Sequence, residues 1–193
     1  MDTDSFLPSN YTLPNSSNGY MKLESGANRF RIVSHAIVGY EFWEENEGRK
    51  TVKRFRMDEP FPADSKHFWA FVVWNYKTSR FQILNITQIP LKISMNLLIE
   101  DEDWGSPRNY DLVITKSGEG KNNVRYEVSP KPKKPLDSEI VELWKKTKPI
   151  IDLDKLFEGG NPFSEQEMGE DKRITKSSKN SDEEELNKLF DIK

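Results

Sequence analysis

The sequence predicts a mostly β protein with minor α content, a small five-stranded barrel with one helix between its third and fourth strands. Runs of aromatic and β-branched residues recur between residues 20 and 128, separated by short polar breaks. A single helical pattern interrupts them. The 193 residues are 35% hydrophobic and 32% charged, which predicts one folded domain with tails that do not fold.

The first strands lie between residues 20 and 56. Residues 20–23 are a short edge strand, and residues 29–44 alternate as a long, half-buried strand does. The phase of that alternation is lost at 34–36, where a bulge would fit. Residues 50–56, KTVKRFR, form a short basic strand. A bent first strand that serves two parts of a curled sheet is what a small barrel requires.

The densest β pattern is a hairpin. Its arms are residues 67–76 and 80–86, and the polar turn 77–79 joins them. Both faces of the first arm are apolar, so alternation does not identify the solvent face. Position in the chain assigns Trp69 and Phe71 to the core, because they lie far from the turn.

The helix and two further strands complete the order. The helix covers residues 88–99, and strands follow at 110–115 and 124–128. The helix carries an apolar stripe at i, i+4 and i+8: Ile89, Ile93 and Leu97. Three main strands, a helix and two closing strands match the oligonucleotide/oligosaccharide-binding (OB) barrel, with 50–56 as an insertion. An SH3-like barrel is the alternative, although it usually lacks so long a helix at this point.

The chain divides into three parts. Residues 1–19 form a flexible segment rich in Asn, Ser and Pro, and residues 20–150 form the OB-type nucleic-acid-binding domain. An extra C-terminal helix at 137–146 packs on the barrel. Residues 151–193 form a disordered acidic tail.

Charge is distributed unevenly between body and tail. Residues 152–193 carry 12 acidic and 7 basic side chains. Subtracting these from the totals of 32 and 29 leaves 20 acidic and 22 basic residues in the body. A mildly basic body with an acidic tail indicates a protein that binds a polyanion.

Enzyme and metal chemistry have no motif here. The absence of Cys excludes disulfides and thiolate metal sites, and we expect no metal, cofactor or catalytic residue. The two histidines, His35 and His67, are far apart in strand contexts. The carboxylates at 101–103 and 182–185 fit solvated charge runs better than metal sites. No apolar run approaches the ~20 residues of a membrane span, and we expect a cytoplasmic protein that does not contact membranes.

Sequence-tolerant binding of single strands needs cations for phosphates and exposed rings for base stacking. The candidate cations are Arg29, Arg31, Lys53, Arg54, Arg56, Lys77, Arg80, Lys116, Lys121 and Arg125. The candidate stacking rings are Trp43, Phe55, Trp74 and Tyr76. Trp74 and Tyr76 lie beside the hairpin turn, and Phe55 lies between two arginines of the basic strand.

Several segments resemble phage single-stranded DNA-binding proteins. They are NRFRIVSHAIVGYEFW, KHFWAFVVWNYKTSRFQILNITQ, NYDLVITKSGEGKNNVRYEVSPKPKKPL and the acidic tail. The resemblance implies an OB-fold protein that coats and protects single-stranded DNA in phage replication, recombination and repair, in the host cytoplasm. RNA is a second possible ligand, because rings stack on any base. A protein-interaction or assembly module of the same fold is the alternative, and the oligomeric state stays open.

The tail has a role of its own in this interpretation. Its acids would compete for the DNA site, and its apolar residues would recruit replication or recombination proteins. The residues concerned are Asp182, Glu183, Glu184, Glu185, Leu189 and Phe190. The chain departs from the family pattern by ending in LFDIK instead of a terminal Phe.

Overall fold

A computed structural model describes residues 19–163 of the chain, except 119, 121 and 122. The fold is mostly β, with two α-helices. The strands are β1 (Gly26–Ile32), β2 (Ile37–Asn46), β3 (Arg49–Arg56), β4 (Lys66–Asn75), β5 (Arg80–Ile86), β6 (Asp111–Ser117) and β7 (Arg125–Pro130). The helices are α1 (Ile89–Glu100), between β5 and β6, and α2 (Ser138–Thr147), after β7.

All seven strands belong to one antiparallel sheet. Its order is β3-β2-β4-β1-β6-β7, and β5 pairs with the other edge of β4. Strand β4 is central because β2 pairs with its first half and β1 with its second half. The sheet of the described residues does not close on itself. The predicted mostly β class is confirmed, whereas the sheet has seven strands instead of five.

The break between β1 and β2 is a bend at 33–36, where the sequence predicts a bulge. The Val33 amide donates to the Val72 carbonyl at 3.0 Å. One residue later the Ser34 hydroxyl accepts from the Val72 amide at 2.8 Å, in place of a backbone group. The chain therefore leaves the β4 ladder at Ser34 and rejoins it at Ile37, which pairs with Ala70.

The sheet has a core on each face. On one face, residues such as Phe30, Val73 and Leu84 pack with Leu91 and Met95 of α1. On the other face, the β4–β5 hairpin is covered by α2 and by the chain that follows it. Phe68, Ala70, Val72 and Ile83 are buried there against Leu156. Both faces of β4 are thus buried, which explains its apolar residues on both sides.

Residues 138–163, here called the C-terminal cover, consist of α2, two short 3₁₀ segments and a return to Phe163. The Trp144 ring lies 5.0 Å from that of Phe81, so α2 packs on the sheet. The Phe157 ring lies 5.9 Å from that of Phe68, and Leu156 is 3% exposed. The prediction of disorder does not hold for residues 151–163, because they supply core side chains.

Helix α1 buries a different face from its apolar stripe. Leu91 and Met95 point into the core, whereas Ile89, Ile93 and Leu97 are more than half exposed. None of the helices in the part of the chain that the structure describes is long and apolar enough to cross a membrane.

Candidate nucleic-acid interface

Four residues meet around one buried carboxylate and are here called the Asp111 cluster: Arg29, Arg31, Tyr76 and Asp111. Asp111 begins β6 and pairs in register with Arg31 of β1. Its carboxylate is completely buried and accepts from Arg31 Nε at 2.7 Å, Arg29 Nε at 3.0 Å and the Tyr76 hydroxyl at 3.0 Å. Because Arg29 and Arg31 are two residues apart on one strand, both guanidinium groups reach the same face. Two cations therefore share one carboxylate.

This geometry also fixes the protonation states. Burial raises the pKa of the Asp111 carboxyl, but hydrogen bonds from Arg29, Tyr76 and Arg31 outweigh it, and the pKa lies below its usual value. Burial and the bond to Asp111 raise the pKa of Tyr76 to about 12, so its hydroxyl stays a donor. The Arg29 guanidinium lies over the Tyr76 ring, 4.6 Å from its centroid.

Arg31 is a structural residue, contrary to the prediction that it contacts phosphate. Its side chain is 2% exposed. Its terminal N–H groups donate to the carbonyl oxygens of Arg108 at 3.3 Å and Lys134 at 3.2 Å. These bonds tie the loop before β6 to the chain after β7, and the Lys131 amide adds a bond to the Asp111 carbonyl at 2.8 Å.

A crevice of about 400 Å³ opens where Arg31 joins these two segments. Three exposed cations line it and are here called the basic crevice: Arg108, Lys133 and Lys134. The Arg108 Nη1 atom also lies 3.0 Å from His35 Nε2. Sequence reasoning missed all three cations. The run SPKPKKP contains two of them, Lys133 and Lys134, and the backbone amides of Lys131 and Lys134 anchor this run to the rest of the fold.

The β2–β3 hairpin carries a second group of predicted residues. Trp43 is 54% exposed and donates through Nε1 to Glu41 at 3.3 Å, as the prediction of an exposed ring requires. Lys53 is also exposed and pairs with Glu44 at 2.9 Å. Phe55, the other predicted ring of this hairpin, is half-buried.

Two arginines of β3, Arg54 and Arg56, are engaged by contacts within the protein. The Arg54 side chain is only 11% exposed, and it lies 3.6 Å from the buried Glu41 carboxylate and over the Phe68 ring. Arg56 pairs with Asp154 at 3.0 Å and lies over the Phe157 ring, so it docks the C-terminal cover. Arg54 is therefore removed from the set of accessible phosphate ligands, and Arg56 is occupied by the cover.

The tip of the β4–β5 hairpin differs from the prediction at its main ring. Trp74 is 7% exposed and packs against Phe81, with ring centroids 4.9 Å apart. It cannot stack on a base without local unfolding, and its prediction as a platform is wrong. Lys77 is exposed and pairs with Glu24, and Arg80 lies on the surface at the start of β5.

The β6–β7 end contributes fewer of its predicted cations. Lys116 is half-buried and donates to the Leu23 carbonyl at 3.2 Å. Arg125 is exposed and pairs in register with Ser117. Lys121 lies outside the described residues, as do the predicted tail residues 182–185, Leu189 and Phe190. The structure thus brings Arg29, Arg31 and Tyr76 together, whereas Trp43 and Lys53 lie on a separate hairpin.

Comparison of the chain with protein-family models, with curated proteins and with solved structures gives no match. Across residues 19–163, apart from the three undescribed positions, no three His, Asp or Glu side chains are placed to hold a metal ion.

Proposed function

We propose that this protein binds single-stranded DNA without reading its sequence, through an OB-type fold whose basic crevice holds the phosphates. Support for an OB-type fold comes from the element order: with β1 and β2 taken as the two halves of the bent first strand and β3 as an insertion, the order β1/β2, β4, β5, α1, β6, β7 is the one expected of an OB barrel. The observation that carries the proposal is the basic crevice itself. The backbone carbonyls of two of its three cations, Arg108 and Lys134, accept hydrogen bonds from the buried Arg31.

The crevice is suited to a polyanion because, among the described residues, five cations of the crevice and the Asp111 cluster meet only two carboxylates that act on them, Asp111 and Asp137. Asp111 is the carboxylate of the cluster, and it is shared by two arginines. Arg108, Lys133 and Lys134 add three more cations at the surface. Arg29, whose side chain is 46% exposed over Tyr76, extends this surface. Each phosphate bound here would release counterions and make the affinity depend steeply on salt.

Base stacking would fall to Trp43 on the β2–β3 hairpin. OB folds bind oligonucleotides with the face of their second and third strands and the adjoining loops. Here those strands are β4 and β5, and the C-terminal cover occupies their outer face. We therefore expect the single-stranded DNA to bind to the loops around that face, among them the β2–β3 hairpin with the exposed Trp43.

The remaining roles follow from this assignment. The protein would act without catalysis in phage replication, recombination and repair, in the host cytoplasm. The acidic tail, with Asp182–185 as its charge run and Leu189 and Phe190 as its apolar residues, would modulate binding or recruit partner proteins.

The test is a titration with single- and double-stranded oligonucleotides, of DNA and of RNA, at two salt concentrations. We expect single-stranded DNA to bind best. The triple variant Arg108→Ala, Lys133→Ala, Lys134→Ala should lower the slope of log affinity against log salt by about 2, since each phosphate contact contributes roughly 0.7 for single strands.

The matched control replaces three exposed lysines of the C-terminal cover with alanine, at 145 and 146 in α2 and at 148 directly after it. It should leave the slope close to that of the unchanged chain. The proposal would be contradicted if no oligonucleotide bound at low salt, or if both triple variants lowered the salt slope by the same amount. Tighter binding of RNA than of DNA would reassign the ligand.

A protein-interaction or assembly module is the second candidate function. The Trp74 ring is buried and offers no surface for such a partner. The exposed apolar stripe of α1 does support it, because it presents a hydrophobic surface to solvent.

A further inference from the structure

Three large apolar side chains are exposed in a row on α1 and are here called the α1 stripe: Ile89, Ile93 and Leu97. They are 66%, 56% and 64% exposed. The opposite side of the helix is already buried by Leu91 and Met95, so α1 is apolar on both sides. A helix that is hydrophobic all round is normally enclosed on all sides. The stripe therefore indicates a partner that the single chain does not supply within its described part.

The two ends of α1 have opposite electrical character, and neither end turn carries a side chain of the charge that would compensate it. At the first turn there is no acidic residue, and Gln88 makes no side-chain capping bond. At the last turn there is no basic residue, and Glu100 is followed by Asp101, Glu102 and Asp103. Helix dipoles favour anions at the N-terminus and disfavour them at the C-terminus. In the isolated chain the four carboxylates therefore stand at the wrong end.

We propose that α1 is the interface of a homodimer, in which two copies pack their α1 helices antiparallel about a twofold axis at Ile93. An antiparallel arrangement places the acidic end of each helix beside the uncapped N-terminus of the other. The same contact that buries the α1 stripe thus relieves the unfavourable charge at both ends. The proposal does not depend on nucleic-acid binding.

The dimensions of the helix agree with this pairing. With a rise of 1.5 Å per residue, the stripe is ~12 Å long and is centred on Ile93. A twofold axis at Ile93 brings Ile89 of one copy against Leu97 of the other. Glu100 then extends ~4.5 Å past the first residue of the opposing helix, where the free N–H groups point.

A second copy fits this surface better than the chain's own tail does. The apolar residues of the tail directly follow the acidic run 182–185. Docked antiparallel on the stripe, as the second copy is, they would bring those acids close to the carboxylates at 100–103, which is unfavourable between like charges. A twofold pair instead matches acid with helix N-terminus twice, as an isologous interface requires.

The absence of cysteine makes the geometry directly testable in the full chain. Ile93→Cys supplies the molecule's single thiol at the proposed axis and should form a disulfide-linked dimer rapidly under mild oxidation. Leu143→Cys, at a similarly exposed leucine on α2, is the matched control and should react slowly. A mixture of Ile89→Cys and Leu97→Cys proteins, distinguished by a mass tag, should give mainly the mixed dimer.

Sedimentation equilibrium of the unmodified chain should show a reversible monomer–dimer equilibrium. Ile93→Asp should shift it at least tenfold towards monomer, whereas Leu143→Asp should not. The proposal is overturned if the full chain is monomeric at every concentration, or if Ile93→Cys links no faster than Leu143→Cys. If disulfides form mainly between two Ile89→Cys copies and between two Leu97→Cys copies, the helices pair in parallel and the antiparallel arrangement is rejected.

Discussion

The Asp111 cluster and the β2–β3 hairpin each carry strand cations, but Arg31 of the cluster and Lys53 of the hairpin have different surroundings. In the cluster, Arg31 lies opposite Asp111 in register and is almost completely buried. In the hairpin, Lys53 lies opposite Phe42 and remains 60% exposed. A cation on a strand is thus committed to structure when its cross-strand neighbour is a buried carboxylate. Where no such neighbour exists, it stays available to a ligand.

The largest effect expected from this contrast is on stability. Asp111→Asn leaves the buried Arg31 without its counter-charge and should lower the free energy of unfolding by about 3–5 kcal/mol. Glu44→Gln, which removes the partner of Lys53, should cost less than about 1 kcal/mol. Urea denaturation measures both. Similar losses in the two variants would remove the distinction between the regions.

The two tryptophans of these regions should differ in kind. Trp74→Ala removes a buried ring next to Arg31 in register and should cost about 3 kcal/mol of folding free energy. Trp43→Ala should leave stability nearly unchanged but weaken oligonucleotide binding, since stacking contributes roughly 1–3 kcal/mol per base. Fluorescence quenching by oligo-dT should persist in Trp74→Phe and largely disappear in Trp43→Phe. The reverse pattern would place the bases at the β4–β5 tip.

A smaller effect is expected from Lys53. Lys53→Ala should lower the salt slope of DNA binding by about 0.7, because it removes a single phosphate contact. Its thermal midpoint should stay close to that of the unchanged chain, since the pair with Glu44 is exposed. An unchanged slope would mean that the hairpin holds the strand through Trp43 alone.

The smallest effect concerns pH at the base of the hairpin. Burial, and then the charge of Lys92, lower the pKa of His67 from 6.5. The unfolded chain therefore binds more protons than the folded one just below pH 6.5, so stability present above that pH is lost as the pH falls. Denaturation midpoints at pH 7.5 and 5.5 measure the loss. It should shrink in His67→Gln and persist in His35→Gln.

Local pattern predicted most of the strands. The alternation of Phe30 and Ile32 locates β1, and the lost phase near Ser34 locates the bend. The turn at 77–79 locates β5 at the observed residues, Arg80–Ile86. These features depend on neighbours in sequence, which is why one chain suffices to find them.

The errors at the site have a common cause in long-range contacts. Trp74 was expected at the surface because it lies beside the hairpin turn, but Phe81 packs on it, and Phe81 is backed in turn by Trp144 of the distant C-terminal cover. Arg31 was expected to meet phosphate because its partner Asp111 is 80 residues away. Periodicity also could not decide which side of α1 faces the core, since both sides are apolar.

The two ends of the described chain meet at one place. Tyr20 lies beside the outer edge of β5, bridged to Ile83, and its ring packs edge-on against Phe163 at 6.3 Å. A Cβ at position 19 would overlap the Phe163 ring, so Gly19 is what allows this closure. The first and last described residues are consequently held together by non-covalent contacts alone. Deleting the segment at one end should therefore loosen the segment at the other. A circular permutant in which a short peptide joins residues 19 and 163, and the chain is opened at a surface loop, should fold.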